Sequence, residues 1–249
     1  VQLGKVVWGS DGRRGGELVA IETGDPARIW GSVDGGITWF VMHPGDEGYI
    51  WTDITISKGV TGDRRIVAVS ESQDYKAENR GKIWLLRSGL EMNPEFSGDY
   101  FNELLLPKNV GNARWQTVTS SHDGLKVVVA GFDSEGFKAI RWDGLARSSK
   151  PVQEIEKGTR NELFKEIVSS SDGKILYALQ GYRTTVSPKI GKLYASSDSG
   201  QTWISLSKAP PSKEWVGVAM SADGTQLVAT AGGENGAIWI TKDYGQTWD

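Results

Sequence analysis

The chain has 249 residues, with 28 basic residues against 31 acidic ones and a formal net charge of −3. This slightly acidic balance, with the basic residues scattered, gives no electrostatic reason to expect a nucleic acid or an anionic membrane as partner. The absence of cysteine excludes disulfides and thiolate metal sites, and no apolar run approaches the roughly 20 residues that span a bilayer.

Five copies of one repeat follow each other along the chain. They begin at Leu3, Trp51, Trp115, Phe164 and Trp215, so successive starts are separated by 48, 64, 49 and 51 residues. The longest interval belongs to the second copy, which carries an extra loop. A period near 50 residues with several short strands in each copy is typical of the blades of a β-propeller.

The residue pattern of each copy predicts four strands, which we name a to d in chain order. Strand a is apolar and alternating, and it ends at an Asp-Gly turn, a strong signal for a hairpin. Strand b is a short Leu-Val-Ala type segment, and strand c is an Ile-Trp type segment. A turn of the form Ser/Thr-x-Asp-x-Gly-x-Thr-Trp then leads into strand d. The count of 32 Gly and 11 Trp fits short strands, tight turns and tryptophans packed between sheets.

The turn before strand d resembles the Asp-box, or BNR repeat, at three places on the same period. The three segments are 32–39, 196–203 and 241–248, and their repeated residues are Ser32, Asp34, Gly36, Trp39, Ser196, Asp198, Gly200, Trp203, Thr241, Asp243, Gly245 and Trp248. The second and third copies depart from the motif. The resemblance implies that these residues are structural, because the Asp carboxylate of such a turn accepts backbone N–H groups.

The resemblance also implies the architecture, an all-β fold in which a single five-bladed β-propeller domain of four-stranded antiparallel blades covers residues 1–249. The predicted blades are 1–46, 47–106, 107–160, 161–210 and 211–249. The chain begins at Val1 and ends where the last strand d should start, so a trimmed parent with six or seven blades stays an alternative. The segment 93–106 is compatible with a short helix.

Asp-box propellers include glycoside hydrolases, so an enzyme is one reading of the sequence. A sialidase would carry Arg-Ile-Pro near the first blade, where this chain has Arg28-Ile29-Trp30, and it would have six blades. A two-carboxylate glycosidase is harder to exclude. The acids at the end of the blades opposite the Asp-boxes are Glu22, Asp25, Asp46, Glu47, Asp133, Glu135, Glu214 and Glu234. His43 and His122 are isolated, so we expect no metal ion and no cofactor.

Strand polarity puts the Asp-boxes and the a–b turns at one end of each blade, and the b–c and d–a connections at the other end. The latter connections vary in length, which is typical of binding loops on a rigid scaffold. The enlarged ones are 71–80 and 181–189 between strands b and c, and 91–114 and 146–162 between strands d and a. The residues expected to contact a partner are Asp74, Tyr75, Arg80, Phe96, Tyr100, Arg114, Tyr182 and Arg183. In the alternative reading, the aromatic residues among them cover the cores of their own loops.

The sequence therefore favours a noncatalytic propeller that binds a protein partner or a glycan through the end opposite the Asp-boxes. The alternative is a glycoside hydrolase with two carboxylates in an open cleft. No insertion into a membrane is expected. The habit of the family favours secretion or an organelle lumen.

Overall fold

The structure is a computed structural model, and the regular elements of its described residues are all β-strands. It describes residues 3–9, 16–24, 27–45, 48–58, 64–73, 81–86, 92–95, 98–106, 113–133, 136–143, 162–182, 191–210, 214–233 and 236–249. These residues form five antiparallel sheets, one for each repeat. Within the described part of the chain, no helix has the length and apolar character needed to cross a membrane.

Two compact units divide the chain, Val1–Val118 and Thr119–Asp249. The first unit contains two four-stranded sheets in which neighbouring strands follow chain order. The first sheet consists of β1 (Leu3–Gly9), β2 (Glu17–Glu22), β3 (Ile29–Ser32) and β4 (Phe40–His43). The second sheet consists of β5 (Tyr49–Lys58), β6 (Arg64–Ser72), β7 (Ile83–Leu86) and β8 (Phe101–Glu103). The predicted single-domain organisation stays a prediction.

The remaining strands continue the same order of antiparallel neighbours. The third sheet consists of β9 (Arg114–Ser120), which contains the boundary between the units, β10 (Lys126–Phe132) and β11 (Phe137–Asp143). The fourth sheet consists of β12 (Glu162–Ser169), β13 (Leu176–Tyr182), β14 (Leu193–Ser196) and β15 (Ile204–Ser205). The fifth sheet consists of β16 (Trp215–Met220), β17 (Leu227–Ala231) and β18 (Ala237–Thr241).

Strand d of the second blade lies elsewhere than the sequence predicted. The segment 93–106 contains β8, which pairs with β7 through Leu86 and Phe101, and no helix. The prediction of a short helix there is therefore wrong, and so is the assignment of 91–114 to a connection after strand d. Residues 87–100 instead connect strands c and d. The fifth blade does begin its strand d, because Ile240 and Asp249 exchange two backbone hydrogen bonds.

The core of each unit is made by residues that alternate along strands a, b and c. In the first unit Ile21, Ile54 and Trp84 are buried in one cluster that joins the first and second blades. In the second unit Leu193 of the fourth blade shares a cluster with Trp215 and Val218 of the fifth. Because alternate side chains of a strand point to opposite faces, each of these clusters fills the space between the facing sides of two successive blades.

Candidate functional site

The first turn between strands c and d is closed by the side chains of Ser32 and Asp34. The Ser32 hydroxyl donates to Asp34 Oδ1 at 2.8 Å and accepts the Gly36 N–H at 2.8 Å. The Asp34 carboxylate also accepts the Thr38 N–H at 2.9 Å and the Thr38 hydroxyl at 2.6 Å. The Trp39 indole N–H donates to the Gly36 carbonyl at 3.0 Å. The motif thus satisfies its own polar groups, as a structural role requires.

The same bonds recur in the c–d turns of the fourth and fifth blades. The Asp198 and Asp243 carboxylates each accept a threonine hydroxyl at 2.6 Å and a threonine N–H at 2.9 Å. The bond from the threonine hydroxyl contributes most to lowering the pKa of Asp34 and of Asp243 to about 2. Burial opposes the change at Asp198, but its hydrogen bonds outweigh it and lower that pKa too. These carboxylates therefore stay ionised and are poor general acids at neutral pH.

The centre of the c–d turn in the first, fourth and fifth blades has two consecutive residues with positive φ. In the fourth blade these are Ser199 (φ 62°) and Gly200 (φ 84°), and in the fifth Tyr244 (φ 59°) and Gly245 (φ 82°). The Ser199 N–H donates to the carbonyl of Lys174 in the a–b turn of the same blade at 2.9 Å. The c–d and a–b turns of a blade are therefore joined at one end of it.

The a–b turns of the last three repeats are also uniform. Ser121 donates its hydroxyl to Asp123 at 2.6 Å, and the Ser170–Asp172 and Ser221–Asp223 pairs repeat this bond at 2.8 and 2.6 Å. Successive turns are linked through the backbone. The His122 N–H donates to the Ser171 carbonyl at 2.8 Å, and the Ser171 N–H to the Ala222 carbonyl at 2.7 Å. This end of the blades is a repetitive, internally hydrogen-bonded surface.

Tyr100 is the one predicted binding residue that the structure places in the core. Its side chain is fully buried, its ring centroid lies 6.0 Å from that of Phe40, and its N–H donates to the Met42 carbonyl at 3.0 Å. Its hydroxyl donates to the Asn93 carbonyl, and burial raises the pKa of the phenol. Tyr100 also precedes strand d. The position of Tyr100 therefore agrees with the alternative interpretation, in which the aromatic residue covers the core of its own segment.

Two other predicted residues lie at the expected end of their blades. Arg114 is the first residue of β9 and is partly buried, and Tyr182 is the last residue of β13. The remaining predictions fall outside the described residues, namely Asp74, Tyr75, Arg80, Phe96 and Arg183. The predicted binding site therefore stays a prediction.

Three of the acids considered for a hydrolase are described. The Trp30 indole N–H donates to Glu22 at 3.2 Å, and the Lys138 ammonium lies 3.0 Å from Asp133. Glu214 lies just before β16, where its backbone carbonyl accepts the Gly232 N–H at 2.8 Å. The other five acids, Asp25, Asp46, Glu47, Glu135 and Glu234, lie outside the described residues. A catalytic pair stays an untested prediction.

The sequence analysis missed a buried carboxylate at Asp53, in strand a of the second blade. Asp53 Oδ1 lies 2.5 Å from the Lys5 ammonium, while Oδ2 accepts the Thr117 hydroxyl and the Val118 N–H, each at 2.9 Å. Lys5, Asp53 and Thr117 belong to the first strands of three successive repeats. Since β9 is an edge strand of its sheet, the bond to Asp53 satisfies a Val118 N–H that no neighbouring strand of that sheet reaches.

In the fourth blade, Glu166 makes the same kind of contact with the first strand of the next blade. Its carboxylate accepts the Val218 N–H of the fifth blade's strand a at 3.0 Å. Asp53 and Glu166 both follow a bulge in the pairing of strands a and b. The sequence carries a signal that could have identified them, an acid two residues after the aromatic residue, Trp51 or Phe164, at which the repeat begins.

The end of the second blade opposite its c–d connection carries a cation held against aromatic rings. The Lys82 ammonium lies 4.4 Å from the ring centroid of Tyr49, 5.1 Å from that of Trp84, and 3.4 Å from Glu103. Nearby, His43 is buried edge-on to Trp84, with ring centroids 4.6 Å apart. These residues present aromatic and charged groups at the end predicted to bind.

A small cleft of about 160 Å³ lies at the same end of the fourth blade. It is lined by residues 191–193 at the start of strand c, by residues 205–207, 209 and 210 at the end of strand d and just after it, and by Trp215. The Trp215 indole N–H donates to the Gly191 carbonyl at 3.2 Å. Among the described residues, no group of three or more His, Asp or Glu side chains is arranged to hold a metal ion.

Comparison with solved structures identifies the fold. The chain is similar to TolB from Acinetobacter baumannii (15% identity, TM-score 0.61), covering 98% of this chain and 53% of that one. It is also similar to a putative TolB from Agrobacterium tumefaciens (15%, 0.61; 99% and 79%) and to a chain of a nidogen/laminin complex (12%, 0.56; 91% and 73%). The chain thus spans about half the length of the first of these.

No protein-family model and no curated protein matches the chain. The structural relatives are β-propellers, and the five sheets correspond to five blades. The predicted fold class, an all-β, five-bladed β-propeller, is therefore confirmed. At this level of identity the likeness defines the fold alone.

Proposed function

We propose that this chain is an Asp-box propeller that acts as a noncatalytic scaffold, binding a protein partner or a glycan through the ends of the blades opposite the c–d turns. The observation that carries the proposal is the contrast between the two ends of the blades. At one end the turns repeat the same hydrogen bonds and satisfy their own polar groups. At the other end the connections differ in length and sequence from blade to blade.

The side chains at the ends of the blades opposite the c–d turns support the same proposal. Lys82 beside Tyr49 and Glu103 offers a mixed aromatic and charged surface, and the cleft beside Trp215 offers a concave one with both polar and apolar lining residues. Aromatic residues beside charges are enriched where proteins bind each other. A propeller found in a nidogen/laminin complex shows that a chain of this fold can take part in a protein complex.

Shortening two b–c connections tests the proposal. One variant joins Gln73 to Gly81 through an Asn-Gly turn, and a second joins Tyr182 to Gly191 in the same way. Both leave β8 and the buried Tyr100 in place, so the blades retain their cores. We expect each variant to keep the wild-type circular dichroism and melting temperature while at least one loses a partner captured from the native source.

Ile37→Ser provides the matched control, because Ile37 is highly exposed but lies in a c–d turn. This variant is expected to retain the partner. Loss of the partner in Ile37→Ser but not in the loop variants would contradict the proposal. Hydrolysis of a glycan by the wild-type chain would favour the alternative, a glycosidase with two carboxylates, and would direct mutagenesis to Glu22, Asp133 and Glu214.

A further inference from the structure

The cleft beside Trp215 has a counterpart between the first two blades. The Trp215 indole N–H donates to the Gly191 carbonyl at 3.2 Å, and the Trp51 indole N–H makes the same bond to the Ala27 carbonyl at 2.8 Å. Both tryptophans belong to strand a of a blade, and both acceptors lie two residues before strand c of the preceding blade. The two contacts can therefore be compared residue by residue.

Strand d makes the two contacts different. The His43 side chain is buried and lies edge-on to Trp51, with ring centroids 5.1 Å apart. The equivalent residue of the fourth blade is Ser207, which lines the cleft and is exposed. The strand pairs two positions earlier define this equivalence, namely Val41 with Trp30 and Ser205 with Tyr194. The first blade thus covers its neighbour's tryptophan with a ring, whereas the small side chain of the fourth blade leaves a cleft.

The size and walls of the cleft suit a single aromatic ring. Its volume is about 160 Å³, and a cavity of about 150 Å³ is enough to hold benzene. A pocket for a drug-sized molecule is larger, about 300 Å³ or more. Leu193, Leu206 and Trp215 supply apolar walls, and a tryptophan packs well against the edge or the face of another ring.

A lysine at the cleft has no carboxylate beside it within the described part of the chain. Lys192 lines the cleft, is exposed, and directly precedes strand c, as Lys82 does in the second blade. The Lys82 ammonium lies 3.4 Å from Glu103. Strand register shows that a serine takes the place of this acid in the fourth blade, through the pairs Trp84–Glu103 and Tyr194–Ser205. The fourth blade therefore has an exposed cation where the second has an ion pair, and this charge favours an acidic ligand.

We propose that the cleft binds an aromatic side chain of a protein partner that carries an acidic residue beside it. The ring packs against Trp215 as His43 packs against Trp51, and the carboxylate pairs with Lys192 as Glu103 pairs with Lys82. An aromatic anchor in a pocket is the kind of residue that contributes most to binding. This inference rests on the proposed function, because the cleft lies at the end of the blades proposed to bind a partner, and it specifies the chemistry of that partner.

Three capped tripeptides test the inference on the wild-type chain. They are acetyl-Asp-Phe-Asp-amide, acetyl-Asn-Phe-Asn-amide, which lacks the acids, and acetyl-Asp-Ala-Asp-amide, which lacks the ring. Nuclear magnetic resonance follows the Trp215 indole N–H, identified as the indole signal lost in Trp215→Phe. We expect Asp-Phe-Asp to shift this signal, Asn-Phe-Asn to bind about threefold more weakly at low salt, and Asp-Ala-Asp to bind at least about tenfold more weakly.

Two variants assign these effects to residues of the cleft. Ser207→His places in the fourth blade the ring that the first blade has at this position, so we expect binding of Asp-Phe-Asp to fall at least about tenfold. Lys192→Gln should weaken Asp-Phe-Asp about threefold and leave Asn-Phe-Asn unchanged. Lys208→Gln is the matched control, since Lys208 is exposed nearby but does not line the cleft, and it should bind like the wild type.

A Trp215 signal that responds to none of the peptides at millimolar concentration would overturn the inference. So would equal binding of the peptides with and without the ring, or an equal effect of Lys192→Gln and Lys208→Gln. If a captured partner is lost in the loop variants but no peptide reaches Trp215, this inference fails and the proposed function stands. If the peptides bind as expected but no partner is captured, the proposed function fails instead.

Discussion

At the scale of single residues, the c–d turns show how a short motif can determine a conformation without help from the rest of the chain. Asp34 accepts bonds from residues no more than four positions away, and Asp198 and Asp243 do the same. Because every donor is local, the residue types and their spacing are enough to predict the turn. The assignment of these residues to a structural role remains a prediction from sequence that the hydrogen bonds support.

The two left-handed positions of a c–d turn should respond differently to the same side chain. Ser199 has φ 62°, near the value that L-residues tolerate, whereas Gly200 has φ 84° and would bring a Cβ atom to 3.1 Å from Leu176. We expect Gly200→Ala to lower the free energy of unfolding by about 1–2 kcal/mol. Ser199→Ala should change it by less than about 0.5 kcal/mol. Urea denaturation measures both, and equal effects would contradict this explanation.

At the scale of strands, two carboxylates hold the first strands of successive blades together. Asp53 joins β1, β5 and β9, and Glu166 joins β12 and β16. An edge strand leaves N–H groups without a strand partner, so these acids satisfy donors that would otherwise be buried without a bond. The alternating pattern of strand a predicts the strand itself. It does not reveal that the carboxylate of Asp53 or Glu166 accepts bonds from the next repeat.

Removing the Asp53 carboxylate should be costly, because it leaves a lysine, a hydroxyl and a backbone N–H without their acceptor. We expect Asp53→Ala to lower the free energy of unfolding by about 3 kcal/mol. Lys5→Ala should cost about 1 kcal/mol or less, since the Lys5 side chain is about one-third exposed and its charge is screened by water. Chemical denaturation measures the free energy of unfolding of both variants. A larger loss for Lys5→Ala than for Asp53→Ala would contradict the role assigned to the Asp53 carboxylate.

At the scale of the whole molecule, the repeated turns make the free energy of unfolding depend on pH in the acid range. The pKa values of Asp34 and Asp243 are lowered from 3.8 to about 2, and those of Asp172, Asp198 and Asp223 are lowered as well. The folded state therefore binds fewer protons than the unfolded state in this range. The stabilisation is present above about pH 4 and is lost as the pH falls toward about 2.

Asp243→Asn should remove part of this acid sensitivity. The variant is expected to be less stable than the wild type at neutral pH, and to lose less further stability between about pH 4 and about pH 2. Glu95→Gln changes the net charge equally at an exposed side chain outside the turns and should keep the wild-type pH dependence. Thermal melts across this range measure both, and a parallel pH profile for Asp243→Asn would show that the turn does not carry the effect.

The sequence by itself determined what depends on local order: the five repeats, the strand sequence within each, and the turns that their own side chains close. The period and the Asp-Gly and Asp-box patterns fix these features because their interactions span only a few residues or one blade. Only the tertiary structure decided that Tyr100 is buried beside Phe40, that β8 lies within the long segment after β7, and that Asp53 joins three repeats. Those outcomes depend on contacts between residues far apart in sequence. A local pattern can mark a residue such as Asp53, but it does not identify the distant residues that contact it.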